Sequence, residues 1–117
     1  MTLRRLKTYA SQTGLVYEYY FVEMRSAPAT FGGAIEYLYC VSSDRNSSFT
    51  VSIFVLDEAV ADWATRHGRP LDDRERYAAA RLALHQAFDE IEDMRQAGRE
   101  LQVDSEKLEE LLAPLDL

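Results

Sequence analysis

Cysteine is almost missing from this sequence. Cys40 is the only one, so no disulfide can close within the chain. That pattern fits a reducing compartment. No apolar run approaches the roughly 18–20 residues a membrane helix needs. The basic opening Met1-Thr2-Leu3-Arg4-Arg5-Leu6-Lys7 has no apolar stretch behind it, as a signal peptide would require. A cytoplasmic location without membrane contact is therefore expected. Positive charge is also in short supply: 13 Lys and Arg face 20 Asp and Glu, a net charge of −7. The deficit lies after residue 56, where eight basic side chains meet sixteen acidic ones. Such a balance repels phosphate backbones and argues against nucleic acid as a partner.

What is present describes a folded domain. Hydrophobic residues make up 47% and charged residues 28% of 117 positions, ordinary for one globular unit. A chain of this size buries roughly two-thirds of its unfolded surface and needs no staple.

The first half reads as strands. Leu15 to Val22 is dense in β-branched and aromatic residues, and Ser11-Gln12-Thr13-Gly14 before it has turn chemistry. Leu6 to Ala10 then forms the preceding strand, with a helix over residues 2–12 as the competing assignment. Ser26-Ala27-Pro28 ends the second strand, and Phe31-Gly32-Gly33 occupies the following loop. Ile35 to Val41 and Phe49 to Leu56 are the third and fourth strands, around a polar turn at residues 43–48. Short connections imply an antiparallel meander.

Periodicity becomes helical after Leu56. Asp57 has the character of an N-cap, and Gly68 supplies the position after the helix end. Asp72 and Glu75 have capping-box spacing and open a helix expected over about residues 73–97. At 1.5 Å per residue it would span about 37 Å, longer than the roughly 27 Å of an eight-residue strand. Its overhang would offer a seat to another subunit. A last helix over about 105–112 follows Asp104, with Val103 and Leu108 as a staple, and Pro114 stops it. The expected fold is a single α+β domain. It has an antiparallel sheet of three to four strands, covered on one face by a long C-terminal helix plus two shorter ones.

The segments Thr8-Tyr9, Gly14 to Val22, and Ala78 to Asp89 resemble parts of small uncharacterised bacterial proteins, over most of residues 8–90. The resemblance implies a cytoplasmic bacterial domain. It carries no activity, ligand or site residue.

Candidate chemistry is sparse. His85, Asp89 and Asp93 recur at helical spacing, but Arg81 shares their row, which disfavours a metal; a solvated or salt-bridged flank is expected. His67 sits in the last turn of the first helix, where the helix dipole accounts for it. His67 and His85 are the weak pocket candidates. Cys40, mid-strand beside Leu38, is expected to be buried and inert. Gly32-Gly33 precedes a strand and lacks a phosphate-loop continuation, so its role is unusual backbone torsion. Arg66, Arg69, Arg74, Arg76 and Arg81, interleaved with Asp72, Asp73 and Glu75, read as an internally paired surface. The Leu108 to Leu112 segment is expected to pack on its own domain. No catalytic residue, cofactor or metal ligand is assigned.

Aromatics carry the stronger signal. Tyr17, Tyr19 and Phe21 face one side of their strand, and Tyr20 and Val22 face the other. With helices for only one face, Tyr17, Tyr19, Tyr20, Phe21, Tyr37 and Tyr39 form the expected interface of a non-catalytic module that self-associates as a homodimer or takes a protein partner. The alternative is a small-molecule-binding domain or minor enzyme, with a pocket between sheet and helices lined by tyrosines and a histidine.

Overall fold

A computed structural model describes residues 5–27, 32–115 and 117. Five strands form one sheet in the order of the sequence: β1 (Lys7–Ala10), β2 (Val16–Ala27), β3 (Ala34–Ser42), β4 (Phe49–Leu56) and β5 (Glu100–Val103). The first four pair antiparallel, so Lys7–Ala10 is strand rather than helix; residues 2–4 of the competing assignment lie outside the described residues. The fifth joins β4 in parallel, so the sheet is mixed rather than antiparallel with three or four strands. Ile53 lies beside Leu101 and Val55 beside Val103, which puts the apolar side of this late strand on the core.

β2 continues beyond Val22 to Ala27, within the Ser26-Ala27-Pro28 segment expected to end it (Pro28 and Phe31 lie outside the described residues), and carries a bulge between Phe21 and Glu23. Val22 is the extra residue. Phe21 pairs with Tyr39 and Met24 with Tyr37, so the bulge turns Met24 onto the same side as Phe21.

β4 runs straight into helix α1 (Asp57–His67). Asp57 is the first helical residue and not the cap: the N-cap is Leu56, without a side-chain bond. Asp57 and Glu58 still favour that end through the helix dipole. Gly33 makes the junction possible. Its φ is +98°, its carbonyl accepts the Asp57 N–H at 3.1 Å, and a Cβ there would lie 2.6 Å from the Asp57 carboxylate. Gly68, at φ +74°, closes α1 in the left-handed region.

Helix α2 (Asp73–Glu90) opens on the complete capping box of Asp72 and Glu75. It stops at Glu90, and a separate turn, α3 (Met94–Ala97), follows from its own cap, Asp93. The expected 73–97 helix is therefore two helices, and the overhang argued from its length disappears. Asp89, Glu90, Glu92 and Asp93 crowd a helix end where negative charge is unfavourable. Asp93 instead accepts the Gln96 N–H and starts a new turn. Helix α4 (Ser105–Leu112) starts from Asp104 and ends in a 3₁₀ turn, Ala113–Leu115. Its Leu108, Leu111 and Leu112 are buried, against α1 and α2.

All four helices follow the meander, and the core lies between them and one sheet face. α2 buries Ala79, Ala80, Ala83, Leu84, Ala87 and Phe88. Four of these are alanines, so the bulk in this layer comes from the sheet, from Tyr17, Tyr19, Tyr37 and Tyr39, all buried. Among the described residues, no helix covers the opposite face.

Candidate functional site

Arg74, Tyr77, Ala78 and Arg81 recur at three- and four-residue spacing and so stack along one flank of α2. That flank faces the stretch of β2 beyond Tyr19, where the bulge has placed Phe21 and Met24 on the helix side. Between them runs a groove of about 520 Å³, lined by Phe21, Met24, Tyr37, Asp73 and the four helix residues. Met24 is 55% exposed although it faces the helix layer, so apolar surface is left open there.

The walls are fixed by aromatic contacts. The Tyr77 ring stands edge-on to Phe21 at 5.3 Å and to Tyr37 at 6.2 Å. Phe21 also meets Tyr39 edge-on at 5.6 Å. Such arrangements are the preferred ones for ring quadrupoles and hold the wall in place. Behind it, the Tyr39 hydroxyl is fully buried, with the Tyr77 phenol close by. Burial pushes the Tyr39 phenol far up, so it stays neutral.

The arginines of this region divide in two. Arg69 pairs with Glu75 at 2.7 Å, Arg76 with Asp73, and Arg66 approaches Glu109 at 3.9 Å. Among the described residues, Arg74 and Arg81 form no ion pair or hydrogen bond. Of the arginines expected on a solvated, internally paired surface, Arg66, Arg69 and Arg76 are thus paired and the two that line the groove are not.

The same flank continues to His85 and Asp89, where it meets β1 and β2. The Tyr19 hydroxyl and His85 Nε2 lie 2.7 Å apart, and the His85 ring stacks on Tyr9 at 4.3 Å. Asp89 accepts the Tyr9 hydroxyl at 2.7 Å and the Gln12 N–H at 2.9 Å. This row was expected to be a solvated or salt-bridged flank. It is instead a seam that ties the first hairpin to α2, and Asp93 belongs to the next helix. Burial, then the nearby Arg81, pull the His85 pKa down, against a smaller opposing pull from Asp89. The hydrogen bond to Asp89 is the main reason the Tyr9 pKa is pushed up to about 12.

His67 is engaged elsewhere. It stacks on Trp63 at 4.0 Å and meets Glu109 at 2.9 Å, tying α1 to α4. The two histidines therefore serve separate seams and do not form a couple.

The six expected interface aromatics divide by face. Tyr17, Tyr19, Tyr37 and Tyr39 are core residues under the helices, Phe21 is partly buried on the same side, and Tyr20 is on the face without helices. Cys40, opposite Tyr20, shares that face and is half-buried rather than in the core. It lines a hollow of about 480 Å³ with Leu6, Glu18, Tyr20 and Arg45. Glu36 lies on the same face, only 7% exposed, and accepts the Arg25 Nε–H at 2.7 Å. That guanidinium holds the Glu36 carboxyl below the usual carboxylate range.

Met24, Arg74, Tyr77 and Arg81 escaped the sequence reading as a site. Helical spacing already aligned the last three. Met24 joined them only through the bulge, which no sequence pattern announced. Compared with protein-family models, curated proteins and solved structures, the chain matches none.

Proposed function

We propose that the protein is a small-molecule-binding domain whose ligand occupies the groove between β2, β3 and the N-terminal half of α2. The observation that carries this reading is the groove itself: open apolar surface at Met24, inside a fixed frame of aromatic rings. Its volume of about 520 Å³ lies within the usual range of ligand sites, roughly 300–1,000 Å³. The lining of rings, thioether and guanidinium suits binding rather than turnover. A pocket between sheet and helix lined by tyrosines supports the reading, with Tyr37 and Tyr77 rather than a histidine in its wall.

Thermal unfolding against a library of small aromatic molecules tests it. Wild type should show saturable stabilisation. Ala78→Trp, which fills the groove from its half-open wall, should lose that response and remain folded. A library that stabilises neither protein overturns the reading.

A second reading keeps its own observation. Leu6 is 56% and Val16 53% exposed on the side of the sheet without helices. Exposed apolar side chains on an uncovered sheet face suit a two-fold contact between copies. The contact would use Leu6, Val16 and Tyr20, not the buried tyrosines. Sedimentation at low micromolar concentration tests it: a single monomeric species throughout removes it.

A further inference from the structure

Resting on the groove reading, the positions of Arg74 and Arg81 narrow the ligand class. We infer that the groove takes a planar aromatic carboxylate, its ring against Phe21, Met24 and Tyr77 and its carboxylate on Arg81.

The two groove arginines stand out against their surroundings. The chain carries a net charge of −7, and the neighbouring Arg69 and Arg76 both have carboxylate partners. Arg74 and Arg81 have none among the described residues, yet they line an apolar cleft. A guanidinium beside apolar walls is held where water screens it less, and a planar carboxylate matches its donor fork. An anion with an apolar body meets both features together. A neutral apolar ligand would leave the guanidinium unused, and a cation would be repelled by it.

The two arginines are not equivalent. They stand two helical turns apart, about 10 Å along the axis. Arg74 is exposed, and Asp73 lies next to it at that end of the groove. Arg81 is partly buried, farther along the helix from Asp73, where water screens its charge less. Arg81 is thus the anchor. Arg74 at the mouth contributes attraction over distance, which salt screens. Phe21 and Tyr77 line the groove with ring surface, against which an aromatic body gains more than its buried area alone would give.

Titration calorimetry on the full chain compares 2-naphthoate with 2-naphthalenemethanol, which shares the ring system and lacks the charge. The carboxylate should bind roughly tenfold tighter or more, the worth of one charge-assisted hydrogen bond. Arg81→Gln should bring the two compounds within about threefold of each other, and Arg81→Lys, which keeps the charge, should restore part of the difference. Arg74→Gln should lower carboxylate affinity less, and chiefly at low salt. Equal binding of the two compounds to wild type overturns the charge assignment and leaves the groove reading standing. Binding of neither compound overturns the ligand assignment, and binding unchanged by Ala78→Trp overturns both. A preference retained in full by Arg81→Gln moves the anchor off Arg81 and refutes the assignment.

Discussion

The Tyr19 hydroxyl and Nε2 of His85 meet 2.7 Å apart, in the seam between the second strand and the long helix. Neutral imidazole can accept the phenol proton there. Imidazolium is opposed by burial and by Arg81 one turn away, and favoured less strongly by Asp89. Stability should therefore depend on His85. A base whose folded pKa is depressed binds fewer protons folded than unfolded between the two values. Its contribution is complete above the unfolded value, about 6.5, and is lost as pH falls from there through the folded pKa. Urea midpoints at pH 7.5 and 5.5 should drop more in wild type than in His85→Gln. An equal drop would exclude His85 as the source.

Asp89 fastens the edge strand β1. Removing it as Asp89→Ala deletes acceptors for the Tyr9 hydroxyl and the Gln12 N–H. The cost should be about 1–3 kcal/mol, typical of bonds to a charged acceptor. Hydrogen exchange gives a local signature, with amides of Lys7–Ala10 losing protection before those of β3. The Tyr9 phenol, held at about 12 chiefly by that hydrogen bond, should ionise at lower pH in the variant. Ultraviolet titration of tyrosinate reads this directly.

Arg25 and Glu36 pair on the face without helices. Arg25→Met leaves a nearly buried carboxylate without its cation, and the urea midpoint should fall. Arg25→Met combined with Glu36→Gln should recover much of the loss, because the buried charge is gone. A double variant no better than the single would show that the arginine stem, rather than its charge, supports this face.

The capping box predicts a local loss of helix. Asp72→Ala removes the acceptor of the Glu75 N–H, 2.8 Å away, and should cost about 1–2 kcal/mol. Glu75 is held down to about 2, first by Arg69 and then by the Asp72 backbone N–H. Its folded pKa is depressed, so its contribution is present above the unfolded value near 4.5 and fades as pH falls toward 2. Acid titration of Arg69→Gln should show a smaller loss over that window than wild type.

Local chemistry was the legible part of this fold. Asp72 with Glu75, Asp104 before the last helix and Gly68 after the first each depend on residues a few positions apart, and each sits where the pattern placed it. Alternation sorted Tyr17, Tyr19 and Phe21 from Tyr20 correctly, since a strand has a period of two. It could not say which face the helices would take, because that follows from packing between distant segments.

The break in the expected long helix was hidden for a related reason. Ile91 and Met94 continue the apolar period across the gap, so the stripe looks unbroken while the backbone turns. The fifth strand, Glu100–Val103, alternates over only four residues, too few for a period to declare itself. The groove depended on the bulge at Val22, a change of register without a sequence signal. Its two arginines were visible as residues, and their lack of partners was not.

The parallel strand that completes the sheet has a kinetic consequence. It comes last in sequence, yet it lies beside Ser52 to Val55, strand positions already synthesised long before it. A nascent chain therefore presents the meander with one edge bare, at Ser52 to Val55, until β5 has left the ribosome. Closing that edge links residues far apart in the chain and is the slow kind of step. The time before closure is when this chain is most open to pairing with a neighbouring copy of itself.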